Sequence, residues 1–136
     1  MTTGVKLIRS PGLAPVEYAY AAVADGPVQA LWVAGACPLD ADGATVAVGD
    51  VAGQTHQVMR NLATALADAG ASLTDVVKTT VYVASSDRAD LVAAWRVYRE
   101  HMAAHDVPST LLGVAALGYP DQLVEVEAVA LIAAPR

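Results

Sequence analysis

A chain of 136 residues has the length of one domain that buries roughly two-thirds of the surface its unfolded form exposes, so it carries a substantial core. Its 14 acidic and 8 basic residues leave a formal charge of −6, which lacks the electropositive footprint a phosphate-tracking surface needs and argues against nucleic acid as a partner. Only 16% of the residues are charged, where about 25% is usual, and 55% are hydrophobic; such a surface points to burial between subunits.

Cys37 is the only cysteine, so one chain supports neither an internal disulfide nor a thiolate zinc cluster, and a reducing cytoplasm is the expected compartment. The longest apolar runs, 111–117 and 126–134, are broken by Gly113 and Glu127 and fall short of the ~20 residues of a membrane span. Lys6 and Arg9 imitate the basic start of a signal peptide, but Pro11, Pro15 and Glu17 interrupt its apolar region, and secretion is not expected.

Glycine and proline are scattered as punctuation, so residues 1–136 are expected to form a single domain without repeats. Tyr18–Ala24 and Ala30–Ala34 read as paired strands around the turn Asp25-Gly26-Pro27. Asp40-Ala41-Asp42-Gly43 offers a second turn, with Thr45–Val48 as a short strand after it. From Asp50 the period changes: Val51, Val58, Leu62, Ala65, Leu66 and Ala69 form one helical stripe, with Asp50 as N-cap and Gly70 just past the end. Val76–Val83 is a β-branched run interrupted by Lys78, the pattern of a buried central strand. Leu91, Trp95, Tyr98 and Met102 define a second amphipathic helix capped by Ser86 or Asp87. Thr110–Ala115 and Leu123–Ala133 complete the chain as strands joined through Gly118-Tyr119-Pro120-Asp121. The expected order is β-β-β-α-β-α-β-β, an α+β fold with two helices on one face of a mixed sheet of about six strands. The other face then lacks cover, and self-association would supply it.

Four stretches give this pattern a specific resemblance. They are Tyr18 with the strand running into Ala34-Gly35-Ala36-Cys37-Pro38; Gly49-Asp50 through Gln54-Thr55 and Asn61-Leu62 to Ala69-Gly70; Asp75 through Val83; and Val124-Glu125-Val126-Glu127-Ala128-Val129-Ala130. In order and spacing they resemble the RidA family, also called YjgF or endoribonuclease L-PSP-like proteins. The resemblance implies a chorismate-mutase-like subunit, a homotrimer whose sheets face a central barrel, and small-molecule clefts between subunits. It also implies, for deaminase members, hydrolysis of reactive enamines and imines such as 2-aminoacrylate to a keto acid and ammonia with no cofactor.

Such deaminases clamp the substrate carboxylate with an arginine in a Pro-Ala-Arg-Thr-like segment. Here that stretch is Val107-Pro108-Ser109-Thr110-Leu111-Leu112-Gly113-Val114, and aligning its Gly-Val end sets Ser109 at the arginine position. An arginine fork makes two charge-assisted hydrogen bonds where a serine offers one neutral donor, so activity on 2-imino acids is expected to be poor. The asparagine often found in the second helix also lacks a counterpart, Val92 or Ala93 standing there. Glu125 matches the glutamate thought to hold the attacking water, and is the expected catalytic residue. In a strand, Glu125 and Glu127 project from one face about 7 Å apart, with Val124, Val126 and Ala128 on the other. Tyr18 matches an aromatic lining residue and Gly35 a glycine whose backbone N–H approaches the ligand; Ser109 and Thr110 add hydroxyl donors. These four are the expected ligand-binding residues.

Other reactive side chains carry less. Cys37 has no cationic neighbour in sequence and reads as a small buried hydrophobe. His101 and His105 stand at i and i+4, as a metal pair would, but no third ligand or HExxH pattern accompanies them, and they read as surface residues, as does His56. Neither metal nor cofactor is expected; the expected partners are a small metabolite and two further copies of the chain, with no membrane. The leading functional expectation is a deaminase-type hydrolase. The alternative is a non-catalytic ligand-binding or sensing trimer, while a ribonuclease reading follows only from the older family name and runs against the charge.

Overall fold

The computed structural model describes residues 4–135, arranged as six strands and two α-helices. β1 (Val5–Ile8) and β2 (Ala21–Ala24) form an antiparallel pair of their own. β3 (Val28–Ala36), β4 (Val76–Val83), β5 (Ser109–Gly113) and β6 (Val124–Ala133) form a four-stranded sheet in the order β3-β6-β4-β5. Only β4 and β5 run parallel; α2 (Arg88–Met102) lies between them in the chain and makes the connection.

The element string is the expected one, but its first three members differ. β1 was not among the expected strands, and it takes β2 as its partner in place of Ala30–Ala34. That segment belongs to the longer β3 and pairs with β6. Thr45–Val48 is not a strand. Thr45 makes one isolated bridge to Leu39, and the chain then turns through Ala47 and Gly49, at φ 49° and 81°, so no extended run survives. The single six-stranded sheet is therefore replaced by a two-stranded and a four-stranded one.

α1 (Val51–Asp68) begins where the Asp50 carboxylate accepts the Gly53 N–H at 2.9 Å, and is followed by Gly70 at φ 86°, a left-handed position that favours glycine. Its inner stripe is Gln54, Thr55, Val58, Met59, Leu62 and Leu66; Ala65 and Ala69, expected on that stripe, are exposed. Asp87 caps α2 by accepting the Ala89 N–H. Both helices pack on one face of the sheet, against Val76, Val81, Val83, Val124, Val126, Ala128 and Ala130. Strand alternation sends Lys78, Thr80 and Tyr82, with Glu125, Glu127 and Val129, to the opposite face, where Trp32 is 78% exposed. No helix is long and apolar enough to cross a membrane among the described residues.

Candidate functional site

Tyr18 lies in the irregular segment between β1 and β2, in edge contact with Tyr20 and with Trp95 of α2, at centroid distances of 6.0 and 6.1 Å. With Val16, Glu17, Trp95, Ser109, Thr110 and Leu111 it lines a cavity of about 610 Å³. Glu17 is the one ionisable carboxylate on that wall. Its Oε2 accepts from Trp95 Nε1 at 2.7 Å and lies 3.0 Å from Arg99 Nη1. The indole hydrogen bond, helped by the Arg99 charge, holds the Glu17 carboxyl below its ordinary pKa.

The two hydroxyls of β5 face different ways. Ser109 Oγ donates to the Val107 carbonyl at 2.8 Å, accepts from Thr79 Oγ1 at 2.9 Å and lies 2.9 Å from Tyr98 OH. Thr79 and Tyr98 are themselves 2.6 Å apart, and both are buried, which raises the Tyr98 pKa. Ser109 thus closes a relay on the core side and has no further hydrogen to donate. Thr110 accepts from Lys78 Nζ at 2.6 Å and donates its own hydrogen to none of the described residues.

Glu125 and Gly35 meet elsewhere. Glu125 Oε1 accepts from Cys37 Sγ and from Gln122 Nε2, each at 3.2 Å. Gln122 is 4% exposed, and its amide is further fixed by the Val124 carbonyl and the Tyr119 N–H. Glu125 Oε2 accepts no hydrogen bond from the described residues and lies against Gly35, where an added Cβ would come within 2.5 Å of it. A side chain at this position would push the Glu125 carboxylate out of its place. Burial, followed by the adjacent Glu125 carboxylate, pushes the Cys37 thiol up to about 11, so it sits as a protonated donor. Buried Gln54 of α1 steadies the approach to β6 by accepting from Leu123 N at 2.7 Å and donating to the Asp121 carbonyl at 2.9 Å. Gly35 and Cys37 also border a second cavity of about 590 Å³ with Asn61 and Tyr119 among its walls.

Within one chain the expected site residues therefore form two groups. Tyr18, Ser109 and Thr110 share the first cavity; Glu125 and Gly35 are in contact beside the second; the two cavities share no lining residue. Glu127 is exposed, with Tyr82 OH donating to it at 2.6 Å. Lys78, Gln122 and the Glu17–Trp95 pair escaped sequence reasoning. Lys78 left the one usable signal, a cation inside a β-branched run, and burial lowers its pKa. The histidines do not pair as i and i+4. His101 Nε2 lies 2.9 Å from His56 Nδ1 of α1, whereas His105, beyond the end of α2, reaches the Val76 carbonyl at 2.7 Å. No group of three or more His, Cys, Asp or Glu suited to a metal ion occurs among the described residues.

Two helices on one face of a β3-β6-β4-β5 sheet, with a carboxylate held beside a glycine at the β3–β6 seam, define an α+β subunit of RidA type. The chain belongs to the RidA/YjgF family: the family profile described as Endoribonuclease L-PSP matches residues 13–132. It is 37% identical over 100 residues to a RutC family protein of Pyrococcus abyssi, covering 74% of this chain and 76% of that one. It is also 37% identical over 120 residues to the 3-aminoacrylate deaminase RutC of Acinetobacter baylyi, covering 88% and 89%. Among solved structures, YyfB of the Rid protein family from Yersinia pestis superposes with a TM-score of 0.84 at 30% identity, covering 95% of this chain and 99% of that one. Yeast Mmf1 superposes at 0.70 with 27% identity, covering 97% and 99%.

Proposed function

We propose that this chain is a small-molecule protein that assembles as a trimer, completes its clefts between subunits, and hydrolyses an enamine or imine without a cofactor. The observation that carries the chemistry is the state of Glu125: one carboxylate oxygen is anchored by Cys37 and Gln122, while the other faces Gly35 and accepts no hydrogen bond from the described residues. A carboxylate so held can take a proton from water as the oxygen adds to the C=N carbon, and return it to nitrogen. The carbinolamine then expels ammonia and leaves a carbonyl, so atoms and protons balance; an enamine enters after gaining a proton at carbon. The relative named 3-aminoacrylate deaminase supports this reaction class.

Assembly is supported by two features. The sheet face opposite the helices is uncovered and carries Trp32, and the two groups of site residues lie apart in one chain, so a second copy is the means of joining them. The segment 107–113 offers no arginine, and Ser109 has its hydroxyl hydrogen on Val107, which favours a second reading in which the same clefts bind a ligand without turnover. Glu125→Gln separates the two. The variant should keep the wild-type mass in light scattering and its melting midpoint, yet release ammonia from an imine or enamine generated in situ at least ~100-fold more slowly. Equal rates would remove Glu125 from the chemistry, and no turnover by wild type on any such substrate would favour the binding reading.

A further inference from the structure

The first cavity contains an arrangement that neither the family resemblance nor the sequence patterns assign. Its wall holds one carboxylate, Glu17, bound in the manner of a bound anion: Oε2 takes the Trp95 indole N–H at 2.7 Å and faces Arg99 Nη1 at 3.0 Å. The Glu17 side chain is 66% exposed and belongs to a segment without regular structure, so moving it breaks no packing. Its backbone is tied separately, because Arg99 Nη1 also donates to the Glu17 carbonyl at 3.0 Å, and the segment stays docked if the side chain swings away. The hosts are fixed more firmly. Trp95 is wedged between Tyr18 and Tyr98, and Arg99 is braced on its far side by Asp106, at 3.4 Å, which Arg9 also engages at 2.8 Å. Arg96 adds a further positive charge acting on Glu17.

We infer that Trp95 and Arg99 form a carboxylate-binding subsite that Glu17 fills in the free protein and that the carboxylate of a small ligand takes over by displacing Glu17. This deepens the proposed function and rests on it in one respect, the reading of this cavity as part of the ligand cleft. It names the substrate class as small molecules bearing a carboxylate, held from α2 instead of from the 107–113 segment. Competition from Glu17 makes wild-type binding weak, the same direction as the poor activity on 2-imino acids expected from serine at position 109. Thr110, whose hydroxyl hydrogen goes to none of the described residues, and the Tyr18 ring would then meet the rest of the ligand in the same cavity.

The test measures equilibrium binding of pyruvate, and of pyruvamide as its neutral counterpart, by calorimetry on the full chain, with the Trp95 indole N–H resonance as local reporter. Glu17→Ala should bind pyruvate about 10-fold more tightly than wild type, with pyruvamide unchanged. Adding Trp95→Phe, which keeps an aromatic ring but removes the donor, should cancel most of that gain. A general field effect of removing a negative charge would leave the gain intact in the double variant, and that result would overturn the subsite. So would unchanged pyruvate affinity in Glu17→Ala, or an equal gain for pyruvamide. Binding is read without turnover, so absent hydrolysis or an inert Glu125→Gln bears on the catalytic reading alone, while failure of the Glu17→Ala arm in an active protein overturns the subsite alone.

Discussion

Grafting an arginine into β5 gives the sharpest test of which side chain faces the cleft. The family resemblance points to Ser109, yet the structure turns that hydroxyl into the relay with Thr79, Tyr98 and the Val107 carbonyl, and Thr79 and Tyr98 are 0% and 1% exposed. Ser109→Ala would take the Ser109 donor from the Val107 carbonyl and leave one relay hydroxyl hydrogen without an acceptor, since Thr79 and Tyr98 keep only the bond to each other, a loss of about 2 kcal/mol. Ser109→Arg breaks the relay and sets a guanidinium against buried Thr79 and Tyr98, and should cost at least ~3 kcal/mol. Thr110→Arg leaves the relay intact. It loses one partly exposed hydrogen bond from Lys78 and sets two cations side by side, for about 1 kcal/mol. Urea midpoints should therefore rank wild type, Thr110→Arg, Ser109→Ala and Ser109→Arg from most to least stable. Pyruvate release from 2-iminopropionate, generated in situ by an amino acid oxidase, should rise at least tenfold in Thr110→Arg, about 1.4 kcal/mol of transition-state stabilisation, and not at all in Ser109→Arg. A Ser109→Arg protein as stable as wild type, or one that gains more activity than Thr110→Arg, would refute the assignment of faces.

Three further outcomes follow from the local geometry. Gly35→Ala brings a Cβ within 2.5 Å of Glu125 Oε2 and 2.7 Å of its Cδ; because a flexible side chain can move aside, stability should fall by only about 1 kcal/mol, while deaminase activity drops as far as in Glu125→Gln. Cys37, with its thiol pushed up to about 11 by burial and by Glu125, should react sluggishly with iodoacetamide at pH 8, and Glu125→Gln should accelerate alkylation by lowering that pKa. His101, whose pKa is lowered by burial, with the His56 and Arg60 charges adding to it, takes up its proton less readily folded than unfolded. Its contribution to stability is full above the ordinary histidine pKa and is lost as pH falls below that value towards the folded one, so His101→Gln should flatten the decline of the urea midpoint on acidification from neutral pH.

The parts of the fold legible in the sequence are those whose signal is local. Asp50 and the stripe through Leu66 specify α1, and the β-branched density of Val76–Val83 specifies β4, because each pattern is long enough to repeat. β1 has only four residues, too few for alternation to register, and its choice of β2 as partner is a tertiary matter. Thr45–Val48 has strand composition, but the left-handed turns at Ala47 and Gly49 override it. At the site, the shared cavity of Tyr18, Ser109 and Thr110 and the contact of Glu125 with Gly35 bring expected residues together. The facing of Ser109 could not be read, since shifting a five-residue strand by one position exchanges its two faces. The Cys37–Glu125 bond joins residues 88 apart and leaves no mark in either local pattern.

The open sheet face bears on why the proposed assembly is energetically reasonable despite its polar side chains. Covering a surface costs free energy wherever a polar group must give up water without gaining a partner. Here the principal polar groups are paired before any second copy arrives: Lys78 with Thr110, Tyr82 with Glu127, and Glu125 through one oxygen with Cys37 and Gln122. Trp32 stands among them with most of its ring in solvent and offers the apolar area whose burial favours contact. On this face Glu125 Oε2 is left facing Gly35 and accepts no hydrogen bond from the described residues. Burying this face would thus desolvate groups that already hold partners and leave one acceptor unmatched, at the atom the proposed hydrolysis needs for its water.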